Sequence, residues 1–227
     1  MARVRTRLPN VFVGHPFAGR FPVKKFRAIF RALPFNVIYG NTDLQTKHLL
    51  TIMKSNIGKS DYSIFDLSNW NSNVALELGL AEGLKKKPQK NYYILLNTKR
   101  SKEVPSDIRG IQRLEYTSYD FKREVGLADQ LVTYVLTKEY WVKKLWKAIP
   151  DSEKGAKKRV MALRVLAHFR EHEKLTPDNL KSIARGTHLR DADREGVLDA
   201  LRKLGLIKRS RGSSAFVRGR VLYKDTA

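Results

Sequence analysis

Glu77 is the side chain in this sequence best set to do chemistry. It stands in Val74-Ala75-Leu76-Glu77-Leu78-Gly79-Leu80-Ala81, a helical stretch that is apolar nearly all round. A carboxylate buried alone there is costly, so it requires a partner or a ligand. Such a group can stabilise positive charge growing on a neighbouring carbon, or trap it covalently. The competing assignment is a helix-start acid that caps backbone N–H groups or pairs with a lysine. Ahead of it runs Asp66-Leu67-Ser68-Asn69-Trp70-Asn71-Ser72-Asn73, rich in carboxylate, hydroxyl and amide groups. Asn71 and Asn73 suit a helix cap as well as a ligand, and Trp70 suits base stacking as well as sealing the loop. His15, with Phe17 beside it, is a further candidate. No P-loop, dinucleotide fingerprint, His-Glu-x-x-His or Ser/His/Asp pattern stands out, and no metal site or cofactor is expected.

Residues this far apart must be brought together by a fold. Asn10-Val11-Phe12-Val13, Phe35-Asn36-Val37-Ile38-Tyr39, Tyr62 to Leu67 and Tyr92 to Leu96 read as strands, with a fifth near Gln112 to Tyr116. Helical patterns over Val23–Leu33, Leu44–Ile57 and Val74–Lys85 alternate with them, and Lys122 to Ile149 is helical in pattern. Alternation of this kind predicts an α/β fold with a flavodoxin-like, doubly wound parallel sheet. Ligands of such sheets bind beyond the carboxyl ends of the strands. The loops Gly14 to Arg20, Gly40 to Asp43 and Asp66 to Asn73 would then surround one crevice.

Asp66-Leu67-Ser68, an Asn-rich loop, and then Asn73-Val74-x-x-Glu77-Leu78-Gly79-x-Ala81 resemble bacterial TIR-like domains and the related nucleoside deoxyribosyltransferase fold. Asn10 to Phe17 is similar to the first strand and loop of that group, and the likeness covers roughly residues 9 to 120. In enzymatically active members a glutamate at this position attacks or stabilises the anomeric carbon of a ribosyl substrate, so the resemblance assigns that role to Glu77. It makes His15, Phe17, Asp66, Ser68, Asn71 and Asn73 candidate substrate contacts. Cleaving an N-glycosidic bond builds positive charge on the sugar carbon. Nicotinamide leaves NAD as a neutral base without a strong general acid, so NAD or a related nucleotide is the expected substrate, and for NAD one glutamate could suffice.

Ile149-Pro150-Asp151-Ser152-Glu153-Lys154-Gly155 breaks the helical pattern, giving expected domains of 1–150 and 151–227. The second reads as an amphipathic helix over Lys158–His172 and a helix starting at Thr176-Pro177. A third helix follows, capped by Asp191, and then a hairpin from Leu206 to Tyr223 with a basic tip. That order, with Leu204-Gly205-Leu206-Ile207 at its turn, resembles a C-terminal winged helix domain. Lys181, Arg190 and Arg194 would face a groove, with Arg209, Arg211, Arg218 and Arg220 on the wing; guanidinium forks suit phosphates and guanine edges. Asp191, Asp193 and Glu195 oppose that reading by repelling phosphate.

The chain carries 45 basic and 22 acidic residues, a formal charge of +23 over 227 residues. Such charge favours polyanions. Residues from Asp151 onward contribute +9 and the rest +14, so charge does not show which domain meets one. There are no cysteines, which excludes disulfides, thiolate metal sites and a cysteine nucleophile. No apolar run suits a signal peptide or membrane span, so the expectation is a cytoplasmic protein with no membrane partner. Family resemblance implies an anti-phage defence effector that depletes NAD and forms a homo-oligomer when active. Some retron effectors join a similar pair of domains and are held by a reverse transcriptase with its RNA–DNA product. The competing function is a non-enzymatic nucleotide-sensing DNA-binding regulator or assembly scaffold.

Overall fold

The β-branched and aromatic runs form strands, and the amphipathic stretches between them form helices. A computed structural model of the chain describes residues 8–17, 21–40, 49–84, 91–101, 111, 113–118, 127, 130–131, 135, 140–149, 153–169, 171–185 and 187–218. The elements are β1 (Asn10–Gly14), α1 (Val23–Arg31), β2 (Asn36–Tyr39), α2 (Leu49–Lys59), β3 (Tyr62–Asp66), α3 (Ser72–Gly83), β4 (Asn91–Asn97) and β5 (Arg113–Tyr116). They are followed by α4 (Tyr140–Ala148), α5 (Glu153–His168), β6 (Lys174–Leu175), α6 (Pro177–Arg185), α7 (Asp191–Lys203), β7 (Ile207–Arg209) and β8 (Phe216–Arg218). The chain divides into two compact units. One comprises Pro9–Arg27 and Asn36–Tyr119; the other comprises Met1–Leu8, Ala28–Phe35 and Asp120–Ala227.

The first unit holds a five-stranded sheet in the order β2-β1-β3-β4-β5, every pair parallel. This is the α/β architecture expected, with the strand order of flavodoxin-like sheets. The chain steps from β1 outward to β2 and returns on the other side as β3, so strand order reverses at β1. β3 is buried along its whole length, as a central parallel strand must be. Phe12, Phe65 and Ile94 of the sheet pack with Ile57 of α2 and with Val74 and Ala81 of α3 in one core. That packing fixes α3 against the sheet, and with it the direction in which Glu77 points.

In the second unit α6 and α7 both pack on α5, and β6, β8 and β7 form an antiparallel sheet in that order. Leu163, Leu166, Val197, Leu198 and Leu201 are buried in its core. Pro177 is the first helical residue of α6, and Thr176 Oγ1 accepts the Asn179 N–H at 3.3 Å, the cap expected from Thr-Pro. Asp191 is not the cap of α7. Arg190 holds that position without a side-chain cap bond, and Asp191 instead pairs with Arg194 at 2.6 Å. An arginine one turn on takes the carboxylate away from the backbone N–H groups. β6 was not expected; its two residues enter the sheet only because β8 lies beside them. No described helix is long and apolar enough to cross a membrane.

Candidate functional site

Glu77 projects from α3 to the carboxyl edge of the sheet, where two glycines make room for it. A Cβ built on Gly14, the last residue of β1, would overlap Glu77 Oε2. One built on Gly40, just after β2, would overlap Oε1. Neither glycine has a positive φ, so glycine stands there for close approach, not for an unusual turn. Glu77 is 5% exposed, and Oε2 meets no hydrogen-bond donor among the described residues. Phe12 and Phe65 lie against the same glycines. Burial pushes the carboxyl up to about 7. The helix-cap assignment for Glu77 fails on position: Asn71 caps α3, its Oδ1 accepting the Asn73 N–H at 3.1 Å and the Val74 N–H at 3.3 Å.

The other residues singled out in the sequence separate into two groups. Asp66 and Ser68, both buried, tie the ends of three strands together. Asp66 Oδ1 accepts the Ser68 N–H at 2.8 Å, and the Tyr116 hydroxyl donates to Oδ2 at 2.5 Å. Ser68 Oγ accepts the Asn97 N–H at 2.8 Å. Burial raises the Asp66 carboxyl, opposed by hydrogen bonds from Ser68 and Tyr116 and by the charge of Arg100. Asn71 is committed to its cap, while Asn73 is exposed on the first turn of α3. Asn69 and Trp70 adopt φ of 60° and 46°. A tryptophan in the left-handed region is uncommon, and this one is 43% exposed.

His15 is fully buried. Its Nδ1 donates to the Pro16 carbonyl at 2.9 Å, and its Nε2 accepts from Arg27 Nε at 3.1 Å. Because a guanidinium cannot accept, the ring proton sits on Nδ1. Burial, and secondarily the charge of Arg27, lower the imidazole to about 4, against the raising effect of the Pro16 bond. Phe17, Phe21, Phe26 and Tyr39 surround the ring at centroid distances of 4.3 to 5.6 Å. Phe17 thus packs on His15. Arg27, which the sequence did not single out, lies over the rings of Phe17 and Tyr39 at 5.3 and 4.2 Å. Its only signal was a basic residue between Phe26 and Ile29, a pattern shared with any solvated helix face. Residues 18–20 and 41–43, part of two loops expected at the crevice, and 44–48, the expected start of the second helix, lie outside the described residues.

In the second unit Lys181 is exposed and pairs with Asp178 at 3.7 Å. Arg190 is exposed ahead of α7, and Arg209 and Arg211 are exposed on β7 and its turn. That turn carries Gly212 at φ +67° and closes through the Ser210 N–H to the Ala215 carbonyl at 2.9 Å. Arg218 lies on β8 opposite Ile207, and Arg220 falls outside the described residues. Of the opposing carboxylates, Asp191 is engaged by Arg194 and Asp193 is turned inward onto Lys158 at 3.0 Å; Glu195 is exposed. Among the described residues no cluster of three or more His, Cys, Asp or Glu could hold a metal ion. Comparison with protein-family models, with curated proteins and with solved structures found no match to this chain.

Proposed function

We propose that the chain cleaves the N-glycosidic bond of NAD or a related nucleotide, with Glu77 stabilising or trapping the ribosyl carbon. The observation that carries this is the Glu77 carboxylate, buried, its Oε2 without a hydrogen-bond partner among the described residues, seated on Gly14 and Gly40 at the carboxyl edge of a parallel sheet. A structural glutamate would be capped or paired. A carboxyl kept apart from cations gains most when positive charge develops beside it, as it does when a glycosidic bond breaks. Strand order supports the location, since β1 is where the sheet reverses direction. Asp66 and Ser68 then act by holding the strand ends, and Asn73 remains the candidate for substrate contact.

The second unit is read as a nucleic-acid-binding winged helix. Three helices, a short strand and a hairpin in one antiparallel sheet support that reading, as do exposed Arg190, Arg209 and Arg211. The inward pairing of Asp193 removes part of the charge objection. Such a unit would tether or gate the first through nucleic acid, in the manner implied for a defence effector, its RNA–DNA product and reverse transcriptase included.

The test is NAD consumption by purified full-length protein, with and without co-purified nucleic acid, beside Glu77→Gln. Loss of NAD that stops in the variant supports the glycosidase reading. A folded protein that retains nucleic acid and consumes no NAD would instead direct attention to another ribosyl substrate or to a scaffold.

A further inference from the structure

Arg27 has the features of a ligand-binding residue at the same strand ends. Arg27 is half-buried, yet no carboxylate pairs with it among the described residues. A half-buried cation is normally compensated by an anion. Among the described residues only its Nε is engaged, by the His15 Nε2 lone pair, while the guanidinium lies over the rings of Tyr39 and Phe17. The terminal nitrogens make no hydrogen bond to the described residues. His15 is suited to this task because it stays neutral and presents a lone pair instead of a second positive charge.

Arg27 and Glu77 are linked by sequence neighbours. Gly14 touches Glu77 and His15 touches Arg27; Gly40 touches Glu77 and Tyr39 touches Arg27. Successive residues of an extended chain face opposite sides. The two groups therefore flank the ends of β1 and β2, a carboxyl on one side and a guanidinium on the other. A ligand crossing this rim would meet both.

We propose that Arg27 recognises a phosphate of a phosphorylated ribosyl ligand whose sugar lies toward Glu77. The inference rests on the ribosyl reading of Glu77 and assigns recognition of the ligand's phosphate to Arg27. A planar fork held by two rings is pre-organised for two phosphate oxygens, and little side-chain freedom is left to lose on binding. The ligand class is a nucleoside mono- or diphosphate derivative, not a bare nucleoside.

Equilibrium binding of ADP-ribose and of adenosine to the full-length protein tests this. Wild type is expected to bind ADP-ribose at least about 10-fold more tightly than adenosine. Arg27→Gln should weaken ADP-ribose roughly 10- to 100-fold and leave adenosine unchanged. Arg27→Lys should recover only part of the loss, because an ammonium keeps the charge without the fork. Equal weakening of both probes, no weakening of either, or no binding of ADP-ribose by wild type would overturn the inference. Should Arg27→Gln not fold, competition on wild type decides: pyrophosphate displacing ADP-ribose supports the phosphate subsite, and failure to displace it counts against it. Arg27-dependent binding in a protein that never consumes NAD would leave the anion site standing and direct the reading of Glu77 to another ribosyl substrate or to a scaffold.

Discussion

Two buried ionisable side chains near one strand end tilt stability in opposite directions with pH. Glu77 keeps its proton to about 7 when folded, against an ordinary 4.5. Between those values the folded chain binds the extra proton, so stability is present at the acidic side and is lost as pH rises, by about 3 kcal/mol in all. His15 does the reverse: it stays neutral down to about 4 when folded, against an ordinary 6.5. Its contribution is present above 6.5 and lost as pH falls toward 4. The two slopes overlap and largely offset. Glu77→Gln should uncover the histidine, gaining stability over wild type as pH rises from 4.5 to 7, by about 1–3 kcal/mol at pH 8. Urea unfolding of both proteins at several pH values measures this; a pH-independent difference would mean that the carboxyl is not isolated. If the ionised form is reactive, kcat/KM for NAD should climb with pH and level off above about 7.

At the scale of elements, α3 and the ends of β1 and β2 form one mechanical unit. Gly40→Ala should displace the Glu77 carboxylate, costing about 1–3 kcal/mol of stability and most of the activity. In a Glu77→Ala background the same change should cost far less, because the overlapping atoms are gone. A double-mutant cycle in unfolding free energy checks the pair, and simple additivity would refute the contact. Asn71→Ala should remove about 1 kcal/mol through the lost cap of α3, read by thermal unfolding. The five strands and most helices were legible because period and composition report burial directly. Glu77 was legible as a charge in an apolar helix. The roles of Gly14, Gly40 and Arg27 were not, since each depends on a partner 12 to 63 residues away. Local pattern carries no record of such contacts. His15 was legible as a residue of interest, but its surroundings were not: its neighbours Phe21, Phe26 and Tyr39 meet it only when the strands align.

For the whole molecule, a charge of +23 should make nucleic-acid affinity fall steeply with salt. Fluorescence anisotropy with a labelled duplex between 50 and 200 mM salt, as commonly compared, reads the slope. Replacing Arg209 and Arg211 together by Gln should reduce that slope by about 2 and weaken binding evenly across sequences. An unchanged slope would move the interface away from the β7–β8 turn.

Trp70 turns the rim of the sheet into its own optical reporter. Its indole is held in a left-handed turn directly after β3 and is 43% exposed, so its emission should be that of a hydrated ring. Only Trp141 and Trp146 compete with that signal. Replacing both by Phe would leave one lamp beside the strand ends, dimmed or shifted as a ligand seats there and read without label or enzyme assay.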